Sequence, residues 1–297
     1  MSAPLFAFVC CLVVGVALGA GTEESFNYRE QSLWGGICNT GQTRQSPINI
    51  ITADVVQNPN LSAFELSESW TQATASGTFS NLGHNVQFTL AANSPAITTT
   101  FPVGEYKFLQ MHMHWGNRTG TGSEHRFDGE QTEVEIHFVH KRMTQEGTTS
   151  ENGLGVIGVY AEVSETPVSG FWATLNASRV QNSGDEINIT DFMLSSMLPT
   201  NVNTTDYYHY AGGLTTPNCT ETVQFFLLRQ RIPVPAAYLT YLRSTTDDAG
   251  EPLDFNYRDL QGINGRIVEI PGSSTMVSAS LMLVAAVALL AVTGISY

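Results

Sequence analysis

Three histidines have the spacing of metal ligands. His112 and His114 lie two residues apart in a segment, 106–115, in which apolar and polar residues alternate. Residues i and i+2 of a β-strand point to the same face, about 6.5 to 7 Å apart, so the two imidazoles would stand side by side. His137 lies in a second such segment, 133–140, and the glycines between the two segments allow the chain to turn back and pair. Three imidazoles with an open fourth position form a common catalytic zinc site.

These histidines also have an ordinary interpretation. Two histidines on one strand are more often polar residues without a ligand, so the argument depends on the third histidine in the neighbouring segment. A zinc peptidase is another enzyme class that would use such ligands, but the chain lacks the His-Glu-x-x-His motif of that class. The sequence therefore predicts an open zinc site and leaves its reaction to be decided by further residues.

The elements that would position these ligands are mostly strands. Several segments alternate with period two, are rich in β-branched and aromatic residues, and end at glycine, asparagine, threonine or proline. The clearest helical pattern covers residues 235–244, with a proline at its start. No linker-like stretch divides residues 21–271, which predicts one domain, mainly β with a few short helices. The predicted strands are residues 106–115, 133–140, 154–160 and 223–228.

Both ends of the chain carry signals for export and anchoring. All charged side chains lie between Glu23 and Glu269. The apolar run in residues 1–20 closes in small residues, which is typical of a secretory signal peptide. Residues 272–297 open with small residues and end in a short apolar run without a basic flank, which favours a glycolipid (GPI) anchor signal over a membrane helix. We therefore expect a protein attached to the cell surface, or else a secreted one.

Cysteines and glycosylation motifs support export. Two of the four cysteines fall in the removable segment, which leaves Cys38 and Cys219 as one potential disulfide, with two free buried thiols as the alternative. Several Asn-x-Ser/Thr motifs are candidates for glycosylation, and a further one at Asn218 is doubtful because it adjoins Cys219. The candidates are Asn60, Asn117, Asn176, Asn188 and Asn203.

The charge of the chain excludes one class of partner. The formal net charge is −14, and Lys107 and Lys141 are the two lysines in the sequence. No basic stripe could follow a phosphate backbone, so nucleic acid is excluded as a partner. A composition of 42% hydrophobic and 10% aromatic residues is also too apolar for a disordered chain.

Several blocks of the sequence closely resemble the α-class carbonic anhydrases. They span nearly all of residues 21–271, in the order and spacing of that family. The resemblance implies a large, twisted, mostly antiparallel central sheet with short peripheral helices. It also implies reversible hydration of CO2 to bicarbonate and a proton. The blocks are residues 44–48, 81–84, 110–116, 123–125, 135–140, 213–217 and 256–258.

The resemblance assigns the metal and its supports. His112, His114 and His137 match the family's three Zn²⁺ ligands. Zinc on three neutral imidazoles lowers the pKa of bound water to about 7, a value known for carbonic anhydrases as a class. Polar partners that fix the ligating rings are matched as well. These supporting residues are Gln110 for His112, Glu135 for His137, and Asn256.

Other residues of the family's cleft are matched in the same way. Thr215 corresponds to the threonine that orients the attacking oxygen, and its own proton would go to Glu124. His84 corresponds to the residue that passes the product proton to solvent, since an imidazole titrates near pH 7. The remaining matches are Val139, Val156 and Leu214 for the apolar CO2 site, Thr216 for the substrate position, and Tyr28 and Gln87 for the water network.

The chain departs from the family pattern at three positions. Phe225 stands where most relatives have tryptophan, Leu82 where they often have asparagine, and Asn218 where proline is common. The resemblance also pairs Cys38 with Cys219, as in extracellular members. Because all three ligands are present, we expect an active zinc enzyme. The competing hypothesis is a weak or inactive cell-surface recognition domain on the same fold.

Overall fold

A computed structural model describes residues 26–144, 152–165 and 170–272 of the chain. The predicted signal peptide, residues 1–20, lies outside the described residues, as do residues 273–297 of the predicted anchor segment. Within the described ranges, no helix is long and apolar enough to cross a bilayer.

Strands dominate the described part of the chain, which confirms the mainly β class predicted from the sequence. Helices are short and lie around the sheet. The strands are β1 (Asn49–Ile50), β2 (Val56–Asn58), β3 (Glu65–Leu66), β4 (Ala75–Asn81), β5 (Val86–Leu90), β6 (Thr98–Phe101), β7 (Gly104–Trp115), β8 (Arg126–Phe127), β9 (Val134–Arg142), β10 (Leu154–Ser164), β11 (Glu186–Phe192), β12 (Tyr207–Gly212), β13 (Val223–Pro235) and β14 (Glu269–Pro271). The α-helices are α1 (Phe171–Thr174) and α2 (Ala236–Arg243), and 3-10 turns occur at Gln31–Leu33, Thr52–Asp54, Glu68–Trp70, Ala177–Arg179 and Leu194–Met197.

One 12-stranded mixed sheet forms the centre of this single domain. Its strand order is β11-β4-β5-β7-β9-β10-β13-β12-β14-β2, with β6 pairing β7 and β3 pairing β6 beside this path. Most neighbours run antiparallel, as the resemblance implies, while β10 with β13 and β14 with β2 run parallel. The short strands β1 and β8 form a separate parallel pair.

The central strands send alternate side chains to opposite faces of the sheet. In β9, Ile136 and Phe138 belong to the main hydrophobic core, whereas Val139 belongs to a smaller cluster on the other face. His137 shares the face of Val139 because side chains alternate with period two. A slip of one residue would exchange the two faces, so burial of the core fixes which face carries the histidines.

The last long strand extends further than the sequence predicts. β13 does not end at Leu228 but continues to Pro235, with Arg229 and Arg231 exposed and Val234 buried. Exposed and buried residues continue to alternate past Leu228, but the two charged arginines hide this pattern in the sequence. Pro235 then caps α2, which confirms the helix predicted at residues 235–244.

A disulfide joins Cys38 to Cys219, which confirms the predicted pair. The two residues are 181 positions apart in sequence, and their Cα atoms are 5.0 Å apart. The carbonyl of Cys219 accepts a hydrogen bond of 2.9 Å from Gln45 Nε2. The carbonyl of Cys38 accepts one of 3.0 Å from the guanidinium of Arg258. The bridge therefore ties the N-terminal segment to the loop that carries Thr215.

His140 is a core residue on the face of β9 opposite His137. The side chain is fully buried, and its ring stacks on Trp70 with 5.8 Å between the centroids. Nδ1 donates to the carbonyl of Phe138 at 2.9 Å, and Nε2 lies 3.2 Å from the hydroxyl of Thr99. Burial lowers the pKa of His140 to about 4, so the ring is neutral in the folded protein at neutral pH.

The substitution His140→Asn should therefore cost less stability in acid than at neutral pH. The folded protein keeps this imidazole neutral down to about pH 4, whereas the unfolded chain takes up a proton below about pH 6.5. Between pH 7.5 and pH 5, the free energy of unfolding of the wild type therefore falls by about 2 kcal/mol through this histidine. The variant lacks the histidine and does not show this fall. Urea unfolding of both proteins at both pH values should show their difference narrowing by this amount. A difference that stays constant would contradict the prediction.

Candidate active site

Three buried imidazoles meet on the face of the sheet that carries the smaller apolar cluster. His112 and His114 come from β7 and His137 from β9, where His112 and His137 are directly paired across the strands. The ring centroids are 5.0 Å apart for His112 and His114, 5.2 Å for His112 and His137, and 4.8 Å for His114 and His137. One nitrogen of each ring lies within 4.8 Å of the other two.

Each imidazole has its other nitrogen engaged by an acceptor. These hydrogen bonds fix both the tautomer and the orientation of a ring, which a metal ligand requires. They leave Nε2 of His112, Nε2 of His114 and Nδ1 of His137 directed at one another. The acceptors are Gln110 Oε1 at 2.9 Å from His112 Nδ1, the Asn256 carbonyl at 2.8 Å from His114 Nδ1, and Glu135 Oε1 at 2.6 Å from His137 Nε2.

The donor set fits a zinc ion. His114 Nε2 is fully buried and has no hydrogen-bond partner among the described residues, which is costly unless a cation occupies the space beside it. Burial, together with the neighbouring imidazoles, lowers the pKa of His112 well below its usual value and that of His114 to about 3. Both rings are therefore neutral at physiological pH, as zinc ligands must be. In a tetrahedral zinc site the nitrogen ligands lie about 3.3 Å apart. The three facing nitrogens of this cluster lie within 4.8 Å of one another, which is compatible with that spacing.

A second group of polar side chains lies directly beside the ligands. Glu135 Oε1 is 2.7 Å from His125 Nδ1 and 2.6 Å from His137 Nε2. These are hydrogen-bond distances, too short for a metal ion between the atoms. Burial by itself would raise the pKa of Glu135, but His125 and His137 hold it well below its usual value. This group therefore supports His137 and is not a second metal site.

Asn256 connects the ligand strand to the cleft wall. Besides the carbonyl contact to His114, its side-chain oxygen accepts a hydrogen bond of 2.7 Å from the backbone N–H of Trp115. Its side-chain amide donates to the carbonyl of Met113 at 2.9 Å and to that of His84 at 3.3 Å. One buried amide thus fixes the end of β7 and the segment of His84.

Glu124 lies behind the three imidazoles. Its Oε2 is 3.3 Å from His114 Nε2 and 3.9 Å from His137 Nδ1, and its Oε1 accepts a hydrogen bond of 3.0 Å from the backbone of Arg258. Burial raises the pKa of Glu124 to about 8, although His137 and the hydroxyl of Thr215 act to lower it. The carboxyl therefore lies beside both Thr215 and the three imidazoles.

An open cleft of about 340 Å³ leads from solvent to His112 and His137. One wall is polar and carries His84, Gln87 and Gln110, while the opposite wall is apolar. An imidazole cluster next to an apolar wall suits a reaction between a polarised water and a nonpolar molecule. The sequence-predicted residues that line this cleft are His84, Gln87, Gln110, Val139, Val156, Leu214, Thr215 and Thr216.

Several cleft residues were not identified from the sequence. Leu154 and Val223 complete the apolar wall, and both are two residues away from wall positions already assigned, so period two could have located them. Leu109 is different. A bulge between Phe108 and Gln110 interrupts the alternation of β7, and nothing in the sequence indicates that this side chain reaches the cleft.

The predicted proton-transfer region has one unexpected member. The ring of Phe26 lies 4.7 Å from that of His84 at the cleft mouth and packs edge-on against Tyr28 and Trp34. Tyr28 is buried beside it, and the structure does not place it in the cleft wall. Gln87 does line the cleft, where its amide donates to the hydroxyl of Thr89 at 2.8 Å.

The glycosylation candidates lie at the surface. Asn176 is half-buried and its side chain caps a 3-10 turn by accepting from the N–H of Ser178 at 3.0 Å. The doubtful Asn218 is exposed next to Pro217, which lines the cleft. The exposed candidates are Asn60, Asn117, Asn188 and Asn203.

Several known proteins are similar to this chain in sequence. The family model of eukaryotic-type carbonic anhydrases matches residues 29–271. Carbonic anhydrase 4 of Mus musculus is 32% identical over 244 residues, which are 79% of this chain and 77% of the relative. Carbonic anhydrase 7 of Homo sapiens is 32% identical over 237 residues, 76% of this chain and 88% of the relative. Carbonic anhydrase 6 of Bos taurus is 31% identical over 270 residues, 86% of this chain and 82% of the relative. Together with the imidazole cluster, these matches mean that the chain belongs to the eukaryotic-type, α-class carbonic anhydrase family.

Proposed function

We propose that the protein is an active zinc carbonic anhydrase that hydrates CO2 reversibly to bicarbonate and a proton. The observation that carries the proposal is the cluster of three oriented imidazoles, with a buried His114 Nε2 that lacks a hydrogen-bond partner among the described residues. A recognition domain would not need ring nitrogens held in a ligand geometry. Membership of the carbonic anhydrase family supplies the reaction class.

His112, His114 and His137 would hold the metal through the three nitrogens that face one another. When bound, zinc on neutral imidazoles lowers the pKa of a water molecule to about 7, the value known for carbonic anhydrases, and so provides a nucleophile at neutral pH. Gln110 and Glu135 keep two of the rings in position through contacts of 2.9 and 2.6 Å. Ligand orientation is thus set before any metal binds.

Thr215 would orient the attacking oxygen. When its hydroxyl donates to the carboxylate of Glu124, its oxygen remains an acceptor, so that a lone pair of the nucleophile is aimed along the cleft. Burial raises the pKa of Glu124 to about 8. A cation at the imidazoles would lower that pKa, because a nearby positive charge favours the ionised form.

The apolar wall would hold CO2 next to the nucleophile. Val139, Val156 and Phe225 are buried in one cluster, and Leu214 packs against it at the cleft. Val156 and Phe225 are direct neighbours in the parallel pairing of β10 with β13. A nonpolar substrate gains from leaving water for such a surface, whereas the charged product does not.

Stopped-flow CO2 hydration with and without zinc tests the proposal. Chelation should abolish activity, added zinc should restore it, and His114→Ala should lower zinc occupancy and reduce kcat/KM more than about 100-fold, beyond the loss typical of a supporting residue. His209→Gln is the matched control, because His209 bonds to Gln224 and Glu269, and none of these three residues lines the cleft. Zinc-loaded wild type without activity would instead favour the recognition-domain hypothesis.

His84 would pass the product proton to solvent from its place in the cleft wall. His84→Ala should lower kcat about 10-fold or more in dilute buffer and leave kcat/KM unchanged, because proton release follows the hydration step. Added imidazole should restore the rate. Gln87→Ala, a change in the same wall without a titratable group, should show no imidazole rescue. Equal buffer dependence of wild type and His84→Ala would remove His84 from this role.

We also propose that the protein acts at the cell surface, held by a glycolipid anchor. The disulfide and the exposed Asn-x-Ser/Thr glycosylation motifs are suited to an oxidising, extracellular environment. Residues 272–297 have the composition of an anchor signal.

Phosphatidylinositol-specific phospholipase C should release carbonic anhydrase activity from intact cells into the medium. A surface protein with a membrane-spanning helix serves as the control and should stay on the cells. Activity that remains cell-bound after treatment would favour the membrane-helix alternative. Activity already present in the medium before treatment would indicate a secreted form.

A further inference from the structure

A buried series of hydrogen bonds leads away from His137 through side chains that do not line the cleft. Glu135 Oε1 contacts His137 Nε2 at 2.6 Å and His125 Nδ1 at 2.7 Å, and Glu135 Oε2 accepts a hydrogen bond of 2.9 Å from the backbone N–H of His125. His125 Nε2 lies 2.6 Å from the hydroxyl of Tyr210. All four residues are at most 2% exposed.

The same series ends on the backbone of the loop that carries Thr215. The hydroxyl of Tyr210 lies 2.8 Å from Ser46 Oγ, and Ser46 Oγ accepts a hydrogen bond of 3.2 Å from the backbone N–H of Gly213. A side chain at Gly212 would collide with Ser46 Oγ, so the glycine permits this close approach. Gly213 stands two residues before Thr215, so this contact fixes where the loop leaves β12.

Aromatic packing links the same two parts of the site. The ring of Phe225 stacks on that of Tyr210, with centroids 5.1 Å apart and planes 8° apart. Phe225 also lies 5.9 Å from the ring of His137 and 5.0 Å from that of His125. A displaced Tyr210 would therefore disturb the third ligand by two independent routes.

We propose that Tyr210 is a positioning residue that couples the third metal ligand to the Thr215 loop. Through His125 and Glu135 it holds the ring of His137, and through Ser46 it holds the start of the loop. It touches neither the ligand cluster nor the cleft. Because each member of the series is buried, removing one hydroxyl leaves each of its neighbours one hydrogen bond short, and the series has to adjust. The inference rests on the proposed zinc enzyme.

The chain provides a matched control on the same strand. Tyr207 of β12 is also fully buried, and its hydroxyl donates to the carbonyl of Ser62 at 2.7 Å. Its side chain lies in the main core, on the opposite face of the sheet from Tyr210. Tyr207→Phe and Tyr210→Phe each remove one buried hydroxyl, so both should lower the unfolding midpoint.

The two variants should differ at the metal. Competition between the protein and a chelator for Zn²⁺ should show Tyr210→Phe binding zinc about 10-fold or more weakly than wild type, the loss typical of partners that hold a ligand. The pH profile of kcat/KM should also shift for Tyr210→Phe. Tyr207→Phe should match wild type in both measurements. Equal zinc affinity and equal pH profiles for the two variants would overturn the proposal.

A second variant keeps the test decisive if Tyr210→Phe fails to fold. Ser46→Ala keeps the tyrosine and its ring packing but removes the contact to Gly213, so it should lower kcat/KM and shift its pH profile. A profile identical to wild type would count against the coupling. Wild type that binds zinc but does not hydrate CO2 would refute the proposed function alone, since the zinc competition still tests the link from Tyr210 to His137.

Discussion

The pairing of β7 with β9 is the constraint on which the site depends. It places His112 directly opposite His137, and the period of two brings His114 to the same face. The register is fixed from the other face, where Met111, Ile136 and their neighbours fill the main core. A slip of one residue would bury imidazoles among aliphatic side chains and expose core residues to the cleft, so hydrophobic burial selects the register in which the three imidazoles meet.

Burying three histidines is costly where their ring nitrogens have no partner. The partners come from three parts of the chain: Gln110 of β7 holds His112, Glu135 of β9 holds His137, and the Asn256 carbonyl of the C-terminal segment holds His114. Glu135 itself stays ionised because two imidazoles surround it. These acceptors hold one nitrogen of each ring and leave the other three nitrogens facing one another, an arrangement that a metal ion would complete.

Much of this arrangement follows from sequence patterns, and the exceptions have physical reasons. Alternation along β7 and β9 predicts which histidines meet, because strand geometry is local. It does not predict Leu109, which a bulge turns toward the cleft. Nor does it predict Phe26 beside His84, because that contact joins the N-terminal segment to the turn between β4 and β5, which is distant in sequence. The long extent of β13 was also missed, because exposed arginines interrupt its apolar character.

The parallel pairing of β10 with β13 has a consequence for how the two halves of the cleft are assembled. The imidazoles come from strands joined by a short connection, whereas the apolar wall joins Val156 to Phe225 across a long crossover. Closing a long loop costs more chain entropy than closing a short one, and non-local pairings govern folding speed. The polar half of the cleft is therefore specified by nearby sequence, and the nonpolar half by the topology of the whole domain.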